Sequence, residues 1–112
     1  MQALWPVPID VQRCPDAEAI NPVLVRALRA IRAMDTAAES SNFYASNDDL
    51  ISRLQLPEFA VLLNFMAGAV QHLAKQSNVE AWPPGKLMMD LQFVGCWFQI
   101  QNGHAFHDVH TH

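Results

Sequence analysis

Basic residues are scarce in this chain: seven Lys and Arg stand against eleven Asp and Glu, for a net charge of −4, and nowhere do the cations cluster. Without a basic patch there is no electrostatic grip on nucleic acid or on an acidic lipid surface, so neither is an expected partner. Residues 1–10 lack the positive n-region and apolar core of a secretory signal, and no segment approaches the unbroken apolar run that spans a bilayer. The expected location is the cytoplasm. Cysteine is as sparse. Cys14 and Cys96 lie far apart in different kinds of segment, which argues against a disulfide framework and leaves both as free thiols. Neither has the local neighbours of a catalytic cysteine.

Half of the 112 residues are apolar, enough for one globular unit or part of one. The opening Leu4-Trp5-Pro6-Val7-Pro8-Ile9 carries two prolines and alternating bulk, which predicts an extended edge segment along one side of the fold. From Asp16 the apolar residues recur at helical spacing: Ile20, Val23, Leu24, Ala27, Leu28, Ile31 and Met34 form a stripe, with Arg26, Arg29 and Arg32 off it. The arginines read as the solvated face of an amphipathic helix. Residues 36–47 are small and polar and read as a loop whose Phe43 and Tyr44 tuck back on the body. Ser46 or Asn47 is placed to cap a short helix starting at Asp48-Asp49, whose carboxylates suit the helix dipole. That role explains the two aspartates without an acid/base site.

Pro57 suits the first turn of a second long helix, with Phe59, Leu62, Leu63, Met66, Val70 and Leu73 as its buried stripe. His72 in this helix reads as a surface or partly buried histidine. Trp82-Pro83-Pro84-Gly85 breaks the helix and turns the chain. Residues 91–101 then alternate, Val94, Cys96, Phe98 and Ile100 on one face and Phe93, Gly95, Trp97, Gln99 and Gln101 on the other, which predicts a strand. Asn102-Gly103 supplies a tight hairpin turn, so the residues after it are expected to return antiparallel beside Trp97 and Gln99.

Four of the five histidines fall in the last nine residues: His104, His107, His110 and His112. An expression tag would be an uninterrupted run, and this one is broken by Ala105, Phe106, Asp108 and Val109. A solvated cluster without metal is the plainer alternative. Neutral imidazole is the commonest protein ligand for transition metals, and a His-x-His pair on an extended segment puts both rings on one face. His110 and His112 are therefore the leading metal ligands, with His107 the next candidate.

The stretch from Cys96-Trp97-Phe98-Gln99-Ile100-Gln101 through Asn102-Gly103 to the His-x-x-His-x-His run at His107, His110 and His112 resembles the start of the catalytic core of 2-oxoglutarate/Fe(II)-dependent oxygenases. The opening aromatic-Pro-x-Pro segment, Ile20-Asn21-Pro22-Val23-Leu24 at the head of a helix and the second helix are similar too. The resemblance implies an α+β fold in which an N-terminal helical layer, residues 1–87, precedes the first strands of a double-stranded β-helix (jelly roll or cupin-like), residues 88–112. The two parts form one unit, and the β-helix is incomplete. It also implies Fe(II) and 2-oxoglutarate as cofactor and co-substrate, with His110 on the first ligand position. His112 stands where the wider superfamily has a carboxylate, which adds one positive charge relative to the usual set. Asp108 is a candidate to orient a ligand ring N–H.

The distal histidine and the basic residue that pairs with 2-oxoglutarate in that family are expected beyond residue 112. The chain then reads as the N-terminal fragment of a dioxygenase, inactive alone, with an unidentified small-molecule or protein substrate. An open sheet edge left by the missing strands would make it poorly stable or associating, as a homo-oligomer for instance. A second class of function is a non-catalytic, cupin-like metal module in which His107, His110 and His112 hold Zn²⁺ or Ni²⁺. A third is a structural helical domain with an accidental His-rich end.

Overall fold

A computed structural model describes residues 7–35 and 43–101. Five elements run in the order α1 (Ala17–Met34), β1 (Phe43–Ala45), α2 (Leu50–Arg53), α3 (Pro57–Ser77) and β2 (Gln99–Gln101). The architecture is α+β: α1 packs on α3, and β1 and β2 form a two-stranded antiparallel sheet with Tyr44 opposite Ile100.

Helix α1 follows the predicted stripe. Ile20, Leu24 and Ile31 are buried, with Ala27 and Leu28 packed beside them, whereas Met34 at the last turn is 67% exposed. Pro22 lies inside the helix rather than at its head, since the helix starts five residues earlier at Ala17. A proline there removes one helical donor. The stripe of α3 is fully buried only at Phe59; Leu62, Leu63 and Leu73 are half-buried. Pro57 opens the helix as expected and Phe59 is buried, but Met66 and Val70 are each 43% exposed. Buried Leu50 and Leu54, from α2 and just after it, complete the core with Phe59 and the α1 residues. That core explains why α1 and α3 are held: their apolar faces meet it, and each fully buried Leu, Ile or Phe contributes roughly 1.5–3 kcal/mol.

The Asn78 side chain donates to the Ala74 carbonyl at 2.7 Å and ends α3. Beyond it, Lys86 N–H donates to the Pro83 carbonyl, and Gly85 takes φ +75°, with Pro84 before it. Proline then a positive-φ glycine is the residue pattern of a type II turn, so the predicted breaker acts as one.

Other expectations are corrected around the sheet. Phe43–Ala45 is a strand, not loop, although Tyr44 does tuck back and is only 2% exposed. The short helix starts at Leu50, and Ser46 bonds to β2's approach rather than capping it. The predicted strand over 91–101 is regular only at Gln99–Gln101, because β1 offers three residues to pair with. Alternation holds from Cys96 onward, but Val94 is 96% exposed and belongs to no face. The described part of the opening segment forms no strand. No helix among the described residues is long and apolar enough to cross a membrane.

Candidate metal centre

The chain leads toward the histidine run through β2, and the approach to β2 is held at Cys96 and Phe98 by three sets of contacts. Cys96 N–H donates to the Asp48 carbonyl and Leu50 N–H to the Cys96 carbonyl, both at 3.1 Å, which ties the approach to the head of α2. Two residues on, Ser46 N–H donates to the Phe98 carbonyl at 2.9 Å, and Phe98 N–H donates to Ser46 Oγ at 3.0 Å. Gly95 passes Asp48 so closely that an added Cβ would lie 3.8 Å from the Asp48 Cβ, ordinary contact that a small residue could fill.

The third anchor is aromatic. Tyr44 and Phe98 rings meet at 5.5 Å and 55°. The Arg32 guanidinium lies 4.7 Å from the centre of the Tyr44 ring, and the Tyr44 hydroxyl donates to an Asp35 carboxylate oxygen at 3.1 Å. A cation over a ring at this distance is attracted by the negative π face. Arg32 is thus not simply solvated, as its place off the stripe suggested. Burial first, then the Asp35 carboxylate, pushes the Tyr44 hydroxyl above its ordinary pKa of 10.0.

A raised phenol pKa means that the native state holds the proton more tightly than the unfolded chain does. Its contribution to stability is therefore complete below pH 10 and is lost as pH rises through the folded value. Tyr44→Phe, which keeps the ring contacts, is expected to cost about 1–2 kcal/mol at pH 7 through the lost hydrogen bond. Thermal melts at pH 7 and above pH 10 check this: the gap between wild type and variant should narrow at high pH. A gap that stays constant would remove the hydroxyl from this role.

His107, His110 and His112, with His104 and Asp108, lie outside the described residues, as does the hairpin return after Asn102-Gly103. Among the described residues no group of three or more His, Cys, Asp and Glu could hold a metal ion. His72 is exposed on α3, as its sequence position suggested. Asp48 and Asp49 are both exposed, and what they supply is main-chain carbonyls: Asp48 to Cys96, Asp49 to Ser52 and Arg53. Cys14 and Cys96 are free and pack beside the core. Burial raises the Cys96 thiol, which disfavours the thiolate a metal or a nucleophilic reaction needs.

One feature of the site's surroundings was not legible in the sequence. A groove of about 300 Å³ runs between α1 and β2, with Val25, Leu28 and Arg29 on one wall and Phe98 and Ile100 on the other. Arg29, which reads as a plain solvated arginine, lines it. Only the pairing that brings β2 beside α1 creates the groove, and helical periodicity carries no trace of that. No family model, no curated protein and no solved structure matches the chain.

Proposed function

We propose that this chain is the N-terminal section of a 2-oxoglutarate/Fe(II)-dependent oxygenase of the hydroxylase type, in which the strand reached here as β2 opens a double-stranded β-helix core. The observation that carries the reading is the entry of Trp97-Phe98-Gln99-Ile100-Gln101 into the Gly103-His104-Ala105-Phe106-His107-Asp108-Val109-His110-Thr111-His112 run. It is supported by the helices that precede the strand and by the three anchors on its approach. A rigid approach matters because a metal site is only as well placed as the element that presents its ligands.

The donor chemistry suits a borderline metal: His110 and His112 offer neutral imidazole nitrogens one residue apart, and His107 offers a third. Bound Fe(II) would supply dioxygen activation coupled to oxidative decarboxylation of 2-oxoglutarate. In this reading His110 and His112 hold the ion, and Asp108 accepts a ring N–H so that the coordinating nitrogen of a neighbouring histidine faces the metal. An all-imidazole set also suits Zn²⁺ or Ni²⁺, which is the specific ground for the alternative of a non-catalytic metal module.

Anaerobic titration with Fe(II) and with Zn²⁺, each with and without 2-oxoglutarate, separates the two. The oxygenase reading expects 2-oxoglutarate to tighten Fe(II) binding in the longer protein that it implies. Zn²⁺ binding that ignores 2-oxoglutarate would leave the metal module. On a strand His110 and His112 share a face and His107 points away, so His112→Ala is expected to weaken metal binding about tenfold more than His107→Ala. The reverse order would mean that the run is not a simple strand.

A further inference from the structure

Lys75 and Lys86 are the only two lysines in the chain, and the fold sets both on one cleft. Lys75 stands in the last turn of α3, where its charge suits the carbonyl end of the helix. No such role accounts for Lys86, which follows the Trp82-Pro83-Pro84-Gly85 turn and comes back to the same place. The cleft they share is a surface feature of about 160 Å³ that also takes in Val79, Trp82, Pro83 and Pro84. No Asp or Glu lines it, in a chain that has eleven of them, and neither ammonium group is paired with a described residue. Trp82 is half-buried, yet it stands outside the core cluster, and among the described residues no ring packs on it and no cation lies over it.

The loop that presents these groups is held by its own main chain. The Asn78 N–H donates to the Ala74 carbonyl at 3.1 Å, the Ala81 and Trp82 N–H groups donate to the Asn78 carbonyl at 3.0 and 2.9 Å, and the Lys86 N–H closes the turn onto Pro83 at 3.1 Å. Two prolines restrict the same stretch further, so little ordering entropy is left to lose when a ligand arrives.

The donor types select the ligand. An ammonium group is a compact point charge without the planar fork by which arginine grips a carboxylate, and two of them suit a tetrahedral anion that accepts from any direction. A phosphate monoester carries a charge of about −1.5 to −2 at pH 7, which two lysines match, whereas a carboxylate carries one. The indole beside them offers a flat surface for a ring attached to that phosphate. The cleft is smaller than the roughly 300–1,000 Å³ of a site that encloses a whole organic ligand, so the phosphate fills it and the ring lies along Trp82 at its open side.

We propose that this cleft binds a phosphate monoester carried on a flat ring, with Lys75 and Lys86 holding the phosphate and Trp82 stacking on the ring. It shares no residue with the histidine run and stands whether or not the run binds metal.

The test is titration of the full chain with phenyl phosphate, inorganic phosphate and benzoate, followed by calorimetry and by the NMR signals of the indole N–H groups, that of Trp82 being the one lost in Trp82→Phe. Phenyl phosphate is expected to bind saturably, to move the Trp82 signal and to bind at least about tenfold tighter than benzoate, with inorganic phosphate between the two. Lys75→Ala and Lys86→Ala should each weaken phenyl phosphate about tenfold, the loss that goes with one hydrogen bond to a charged group, while Arg26→Ala, at an exposed cation of α1, leaves it unchanged. Both lysines are exposed, so their variants should keep the wild-type helix content by circular dichroism. The proposal is overturned by the lack of a saturable shift at Trp82, by benzoate binding as well as phenyl phosphate, or by lysine variants that bind as the wild type does. Inorganic phosphate binding as tightly as phenyl phosphate overturns it too, since Trp82 would then take no part.

Discussion

Replacing His110 with alanine is expected to reduce Fe(II) affinity by at least about a hundredfold, the largest loss of any single change in the histidine run. A three-ligand site has little redundancy: each protein ligand fixes a coordination position, and removal of one leaves a vacancy that water fills without holding the geometry. Residues that merely orient a ligand already cost ten- to a hundredfold when changed, roughly, so a direct ligand should cost no less. The measurement is iron content and affinity after anaerobic loading of the longer protein that the oxygenase reading implies. Unchanged stoichiometry and affinity would take His110 out of the ligand set and with it the residue-by-residue likeness to the oxygenases.

The largest effect on stability is expected at Phe59. Its ring is 5% exposed and packs with Ile20, Leu24, Ile31, Leu50 and Leu54, where α1, α2 and α3 meet. It also borders a cleft of about 430 Å³ formed with Leu54, Leu56, Leu63 and their neighbours. Truncation to alanine would join a new void to an existing one, and Phe→Ala changes in cores cost roughly 3–5 kcal/mol. Seven side chains are buried among the described residues, so one of them is a large share of that core; single domains hold only about 5–15 kcal/mol in total. A drop in Tm of about 15 °C or more is expected by circular dichroism. Met66→Ala, seven residues along the same helix but 43% exposed, should cost less than about 1 kcal/mol. Equal costs at the two positions would mean that the whole stripe of α3 is covered and the core is wrongly drawn.

That pair of positions also shows what sequence can and cannot carry. Periodicity located α1 and α3, Pro57 marked the head of α3, and Trp82-Pro83-Pro84-Gly85 marked the turn, because each of these signals acts within a few residues. Periodicity also placed Met66 and Val70 on the buried face, since it reports which residues share a side and not whether a neighbour covers that side. β1 was unreadable for a related reason. Phe43-Tyr44-Ala45 is three residues set in a polar stretch, and what makes it a strand is a partner far along the chain. The cation over the Tyr44 ring leaves no local signal either, because Arg32 and Tyr44 lie on different elements. For the candidate site, the identity of the histidines was legible, and their likeness to the oxygenases rests on sequence; the approach to them, fixed through Asp48, Ser46 and Tyr44, was not.

The distance along the chain between β1 and β2 sets an order of events in folding. Tyr44 pairs with Ile100, so the ladder closes a loop of more than fifty residues that includes α2, α3 and the type II turn. Closing such a loop costs entropy that three residue pairs cannot offset by themselves, whereas α1 and α3 can form from local contacts and dock early. The sheet should therefore condense last, on a helical layer already assembled, and changes within it should speed unfolding far more than they slow folding.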